Sequence, residues 1–340
     1  MTHKKRVAGT LARKPVDRPT AQFLYTEVGF YEHGEKLNDL FERYPGDFGP
    51  FMRREIPKPP VSAFGADGRY YQRITDEWGT TSEYRVYGIM GHAIDFPVKT
   101  REDADNFVFP PQPAHILKPA LYRESVRETQ NNYFAFGGTG GLFERMWLLR
   151  GFENFMMDLA EDSPEINALM DRLTEYYRAQ VAAAVEAGAD AIAFGDDYGT
   201  QNGLLVSRET FRRAVKPRLA RMLEPARSKG MHVHFHSCGL VTELFEDFMD
   251  LGIGSVWPQL PLYEMRELKR MLDYFGLSIA IHTNRAGVMT SGTSEEVREA
   301  VLLENEIFKP KDGGAWFYIE VDTGFPFENV EALVETVYSL

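Results

Sequence analysis

One cysteine, Cys238, stands in 340 residues. A single thiol excludes an internal disulfide and a CxxC metal knuckle, and it fits a reducing cytoplasm, the compartment expected from this composition. Long apolar runs are missing as well, since no window approaches the ~18–20 residues that a membrane span needs. Positive charge is in short supply: 38 Lys and Arg face 50 Asp and Glu, for a formal net charge of −12. That balance argues against nucleic acid as the main partner, because phosphate binding needs a basic surface. Only the first fourteen residues run the other way, with Lys4, Lys5, Arg6, Arg13 and Lys14 and no acid. They lack the apolar stretch of a secretory signal and lead into the turn Pro15-Val16-Asp17-Arg18-Pro19, so a solvated first helix is expected there.

A nucleotide-binding loop is lacking too. In Gly137-Gly138-Thr139-Gly140-Gly141 the third glycine of G-x-G-x-x-G falls at Phe143, and no Lys-Ser/Thr follows for a P-loop. The segment reads instead as a tight strand-to-helix turn whose amides can hold an anion.

What is present is apolar mass and a regular alternation. With 44% hydrophobic residues, the chain can bury a large core, and residues 1–340 are read as one domain. From about residue 130 onward, short apolar runs alternate with amphipathic stretches, the pattern of βα units and a parallel sheet. Expected strands are 132–137, 190–196, 231–236, 254–257, 278–282 and 315–320. Expected helices are 141–160, 164–187, 207–228, 240–251, 263–274, 293–308 and 326–339. Pro19 to Glu27 supplies an early strand, and residues 69–99 form a β-rich excursion containing Tyr70, Ile74, Trp78 and Tyr84. The fold expected is an α/β protein, a closed (β/α)8 TIM-type barrel with irregular N-terminal units.

Alternate residues of a strand face opposite sides, and in a barrel one side meets the helices while the other fills the interior. The odd positions Met231, Val233 and Phe235 suit the helix layer, which points His232, His234 and His236 inward and continues to Cys238. The same parity turns Asp197, Trp257, Gln259, His282, Trp316, Tyr318 and Glu320 inward. The last inward residue of each strand is polar, and barrel enzymes carry their chemistry at the C-terminal strand ends.

His236 and Cys238 are two apart where a strand opens into a loop, and imidazole with thiolate is a natural zinc pair. The bland alternative is a satisfied pocket histidine beside a small buried hydrophobe. Glu320 is the preferred third ligand and Asp197 the alternative. Each has an ordinary role in competition: an ion pair with an arginine such as Arg285 for Glu320, a loop cap for Asp197. His232 and His234, deeper on the strand, read as core or supporting groups.

Several segments resemble the uroporphyrinogen decarboxylase superfamily, and more closely its methyltransferase-like branch. They are Pro15-Val16-Asp17-Arg18-Pro19, Asp76-Glu77-Trp78-Gly79-Thr80, Gly137 to Gly141, Gly195-Asp196-Asp197-Tyr198-Gly199-Thr200-Gln201, Phe235-His236-Ser237-Cys238-Gly239 and Pro326-Phe327-Glu328-Asn329. That branch includes zinc-dependent methyltransferases that work with corrinoid proteins. The resemblance implies zinc on His236 and Cys238, with Glu320 in place of the second cysteine that those enzymes carry before the last helix. It implies a small-molecule substrate and a corrinoid carried by a partner protein. Asp197 and His282 are the candidate catalytic groups, and Gln201, Trp257, Gln259 and Tyr318 the candidate substrate-binding ones. Residues 20–35 contain no arginine, whereas the true decarboxylases carry an arginine-rich stretch near the N-terminus. Two other readings stand beside the zinc methyltransferase: a metal-free decarboxylase or lyase, and a non-catalytic small-molecule binding barrel.

Overall fold

A computed structural model describes all 340 residues. Its centre is a seven-stranded parallel sheet in the order β1-β10-β9-β8-β7-β6-β5, curled with helices around it into a TIM-type barrel. The strands are β1 (Ala21–Leu24), β5 (Phe136–Gly138), β6 (Ala191–Gly195), β7 (His232–Ser237), β8 (Ile253–Pro258), β9 (Ser278–Ile281) and β10 (Ala315–Glu320). The β-rich excursion is a separate antiparallel sheet of β2 (Gln72–Thr75), β3 (Thr81–Tyr84) and β4 (His92–Asp95).

The ladder has seven strands where eight were expected. β1 and β5 are its edges, and the segment Pro45–Pro50 fills the seam between them without forming a strand. Asp47 N–H donates to the Ala21 carbonyl of β1, and the Phe48 ring packs 5.6 Å from Phe136 of β5 and 5.9 Å from Trp316. Pro45 and Pro50 cannot donate to a ladder and Gly46 and Gly49 weaken one, so the position is held by the bonds between Asp47 and Ala21 and by the Phe48 ring.

The outward strand residues, among them Ile192, Phe194, Val233, Phe235, Ile279 and Phe317, belong to the large core against the helices. A smaller cluster of Ala280, Trp316 and Tyr318, with Trp257, Phe48 and Phe136 against it, fills the barrel interior. The alternation in the sequence separates these two layers.

Val7 and Leu11 of the first helix, His3–Leu11, pack into the interior cluster. That helix is therefore half-buried and not simply solvated. Its Arg6 bonds the fully buried carboxylate of Asp47 at 2.6 Å, which Arg18 also grips at 2.9 Å. One of the basic residues of the segment thus serves a buried acid beneath the helix.

Local signals set the other helices. Ser163 caps Pro164–Ala187 and Gly188, at φ 85°, ends it; Thr293 and Glu296 form a capping box for Ser294–Phe308. The stretch expected at 141–160 is two helices, Leu142–Arg150 and Phe152–Glu161, because Gly151 at φ 83° breaks it. The stretch 207–228 contains a π-turn over Phe211–Val215, and the one at 240–251 begins as a short 3-10 turn, Thr242–Leu244.

Candidate metal centre

β6 and β7 pair in parallel with Gly195 opposite His236, so the residues that follow each strand emerge side by side. Asp196 turns away from the barrel axis. It accepts from the Phe143 and Glu144 amides at 2.8 and 2.7 Å and from the Tyr198 hydroxyl at 2.5 Å. The anion anticipated for the glycine-rich turn is thus the chain's own carboxylate, seated on the start of helix Leu142–Arg150. Burial lifts its pKa to about 7 despite these donors.

Asp197 turns inward, as the alternation requires, and its Oδ1 accepts the Cys238 amide at 2.7 Å. The loops after β6 and β7 meet in backbone contact. A Cβ on Gly239, whose φ is +79°, would lie 2.1 Å from the Gly199 carbonyl carbon, so only glycine fits. Leu240 N–H donates to the Thr200 carbonyl, and Gly239 N–H to Gln259 Oε1 at 3.2 Å.

These constraints bring Asp197, His236 and Cys238 together, each offering one ligand atom within 4.8 Å of the others. Cys238 Sγ lies 3.5 Å from His236 Nε2, and Asp197 Oδ1 lies 3.7 Å from the same nitrogen. Metal–ligand bonds of roughly 2.0–2.3 Å space neighbouring atoms of a tetrahedron by roughly 3.3–3.8 Å, so these edges fit. His236 Nδ1 donates to the Trp257 carbonyl at 2.8 Å, since a carbonyl can only accept. That fixes the tautomer and leaves the Nε2 lone pair facing Cys238 and Asp197. Burial, and then the Asp197 charge, push the Cys238 thiol up to about 12. A thiolate there needs a cation beside it. The donor set N, S and O suits zinc.

Glu320 is placed elsewhere. It ion-pairs with Arg285 at 3.5 Å and lies 3.8 Å from His282 Nε2, while Arg285 also holds Asp322 at 2.9 Å. The local pairing differs: Asp197 is tied to the Cys238 amide, whereas Glu320 is drawn to Arg285. The third donor beside His236 and Cys238 is therefore Asp197, which moves from candidate catalytic group to candidate ligand.

Of the other expected residues, Trp257 is central: its ring lies 3.9 Å from His236 and 4.0 Å from Tyr318. His282 packs 5.2 Å from Tyr318, and burial with the nearby Arg285 holds its pKa down at about 3, so it is neutral. Gln259 braces the Cys238–Gly239 turn, and Gln201 is exposed in the loop after β6. His232 and His234 both bond Ser255 Oγ, at 2.7 and 2.9 Å, deep in the barrel, and burial keeps them neutral. Glu144 escaped the sequence reading. Its signal was its place at the third residue after the glycine-rich turn, next to the mouth that Asp197 marks.

The class this defines is a parallel α/β barrel with a His–Cys–Asp candidate metal centre at the ends of β6 and β7. The sequence model of the uroporphyrinogen decarboxylase (URO-D) family matches residues 93–340, and the chain belongs to that family. No curated protein matches it. Among solved structures it is similar to a methyltransferase from Methanosarcina mazei, at 17% identity and TM-score 0.68, over 100% of this chain and 99% of that one. A B12-independent methionine synthase from Shewanella sp. W3-18-1 is more distant, at 12% identity and TM-score 0.43, over 82% of this chain and 74% of that one.

Proposed function

We propose that the chain is a zinc-dependent methyltransferase that moves a methyl group between a small molecule and a corrinoid protein. The Asp197–His236–Cys238 cluster carries this reading. Membership of the URO-D family and the full-length similarity to a methyltransferase support it. His236 Nε2, Cys238 Sγ and an Asp197 oxygen would hold the ion, leaving one tetrahedral position for substrate. When bound, zinc supplies Lewis acidity that lowers the pKa of a substrate heteroatom.

The chain's residues do the rest. The Trp257 carbonyl keeps the His236 ring in the tautomer that presents Nε2. Gln259 and the Gly199–Gly239 contact fix the Cys238 loop. Trp257 packs against both the His236 and the Tyr318 ring and so braces the His236 imidazole.

Methyl transfer to a corrinoid protein, measured on the native protein and on Cys238→Ala and His236→Ala, tests this. The expected result is activity with one zinc per chain and loss of both in each variant. Full activity in a metal-free protein, or tetrapyrrole decarboxylation without corrinoid, contradicts it.

A further inference from the structure

The absent eighth strand leaves β5 with a free edge. Toward β6 the ladder uses the Ala135 carbonyl and the Thr139 amide, so the amides and carbonyls of Phe136 and Gly138 alternate to the other side. None of these four groups has a hydrogen-bond partner in the chain. The segment in the seam bonds β1 through Asp47, but it meets β5 through the Phe48 ring.

That edge borders a cavity of about 730 Å³, within the roughly 300–1,000 Å³ of small-molecule pockets. Phe136 and Gly138 form one wall, and Lys118, Leu121 and Tyr122 at the start of helix Pro119–Gln130 form another. Neither an acid nor any member of the Asp197–His236–Cys238 cluster lines it, so it is separate from the metal centre. Lys118 is exposed, and no acid in the lining neutralises it.

Gln180 lines the same cavity and is only 6% exposed. Its orientation is set from behind. Gln112 Nε2 donates to the Tyr176 carbonyl at 2.8 Å, which turns Gln112 Oε1 toward Gln180 Nε2 at 3.0 Å. Gln180 Oε1 is then left as an acceptor without a donor.

The cavity thus offers a main-chain donor and acceptor on one residue, a fixed carboxamide acceptor and a positive charge. An extended amino-acid residue carries its own N–H and carbonyl on one edge, and it exchanges both bonds with a partner on an open strand. A simple anion would use the charge but bring no N–H for the Gly138 carbonyl. An apolar molecule would strip water from these groups and return nothing.

We propose that this cavity is a second binding site, for a small N-acyl amino acid with a free carboxylate. The ligand N–H donates to the Gly138 carbonyl, and its carboxylate accepts from Gly138 N–H beside Lys118. Its apolar side chain packs on Leu121 and Phe136.

Calorimetric titration of the full chain with N-acetylphenylalanine, its N-methylated analogue and its carboxamide tests this. The expected result is saturable binding of the acid. N-methylation, which removes the donor, weakens binding by roughly tenfold, and the carboxamide, which removes an exposed charge, by roughly threefold. Gly138→Pro deletes the cavity-facing N–H and no bond to β6, and it is expected to weaken the acid by roughly fivefold or more. Gly138→Ala is the control, since its Cβ meets nothing nearer than the Ala193 carbonyl at 3.9 Å, and it keeps the affinity. No saturable binding, equal binding of the N-methylated analogue, or unchanged affinity in Gly138→Pro overturns the proposal. The ligand series on the native protein decides even if that variant does not fold. A dimer in sedimentation that Gly138→Pro breaks would assign the edge to a second copy of the chain and equally overturn it.

Discussion

Single residues hold this site in place, and the least replaceable of them has no side chain. Gly239 combines a left-handed φ of +79° with backbone contact to Gly199. Gly239→Ala is expected to separate the loops that carry Asp197 and Cys238. The variant should lose metal and drop in stability by about 2 kcal/mol or more, read by chemical denaturation with metal analysis. Glu304 makes a different kind of claim. It is wholly buried on helix Ser294–Phe308 with one bond, from the Thr283 hydroxyl at 2.7 Å, and burial pushes its pKa up to about 8. The folded protein then holds a proton that the unfolded chain releases near pH 4.5, so this group's contribution to stability is fully present below that pH and is lost as pH rises toward 8. The loss is on the order of a few kcal/mol. Glu304→Gln keeps an acceptor for Thr283 and should flatten this dependence. An unchanged slope between pH 5 and pH 8 would count against the assignment.

At the scale of elements, the first helix shows what packing adds to composition. Five basic residues without an acid suggest a solvated segment, yet Val7 and Leu11 enter the barrel interior and Arg6 reaches the buried Asp47. The acid it needs lies 41 residues away in sequence, and no local pattern reveals it. Asp47→Ala would leave Arg6 and Arg18 without their shared carboxylate. About 3–5 kcal/mol of destabilisation is expected from breaking a buried pair, read as a lower urea midpoint, with the first helix most exposed to hydrogen exchange. The strands were more legible. Their apolar alternation is local and separates a helix-facing layer from an interior layer in β6 to β10. The missing eighth strand was not legible, because a proline-bounded segment fills its place through the Asp47–Ala21 bond and the Phe48 ring.

For the whole molecule, which residues point inward can be read along each strand, but which of them meet depends on how the loops and side chains from different strands pack together. His236 and Cys238 share one strand end, so their proximity follows from spacing. The choice between Asp197 and Glu320 does not, since it turns on the Cys238 amide bonding Asp197, a contact between loops far apart in sequence. Arg285 then draws Glu320 into the pairing already available to it. Glu144 was hidden for the same reason, as the Asp196 carboxylate that fixes its amide comes from the end of β6. These relations meet at the Asp197–His236–Cys238 cluster, the candidate metal centre. Zinc content per chain, measured in the native protein, Asp197→Ala and Glu320→Ala, tests it most directly. We predict one zinc in the native protein and in Glu320→Ala, and loss of zinc in Asp197→Ala. A native protein without metal, or zinc lost from Glu320→Ala and kept in Asp197→Ala, would contradict the account.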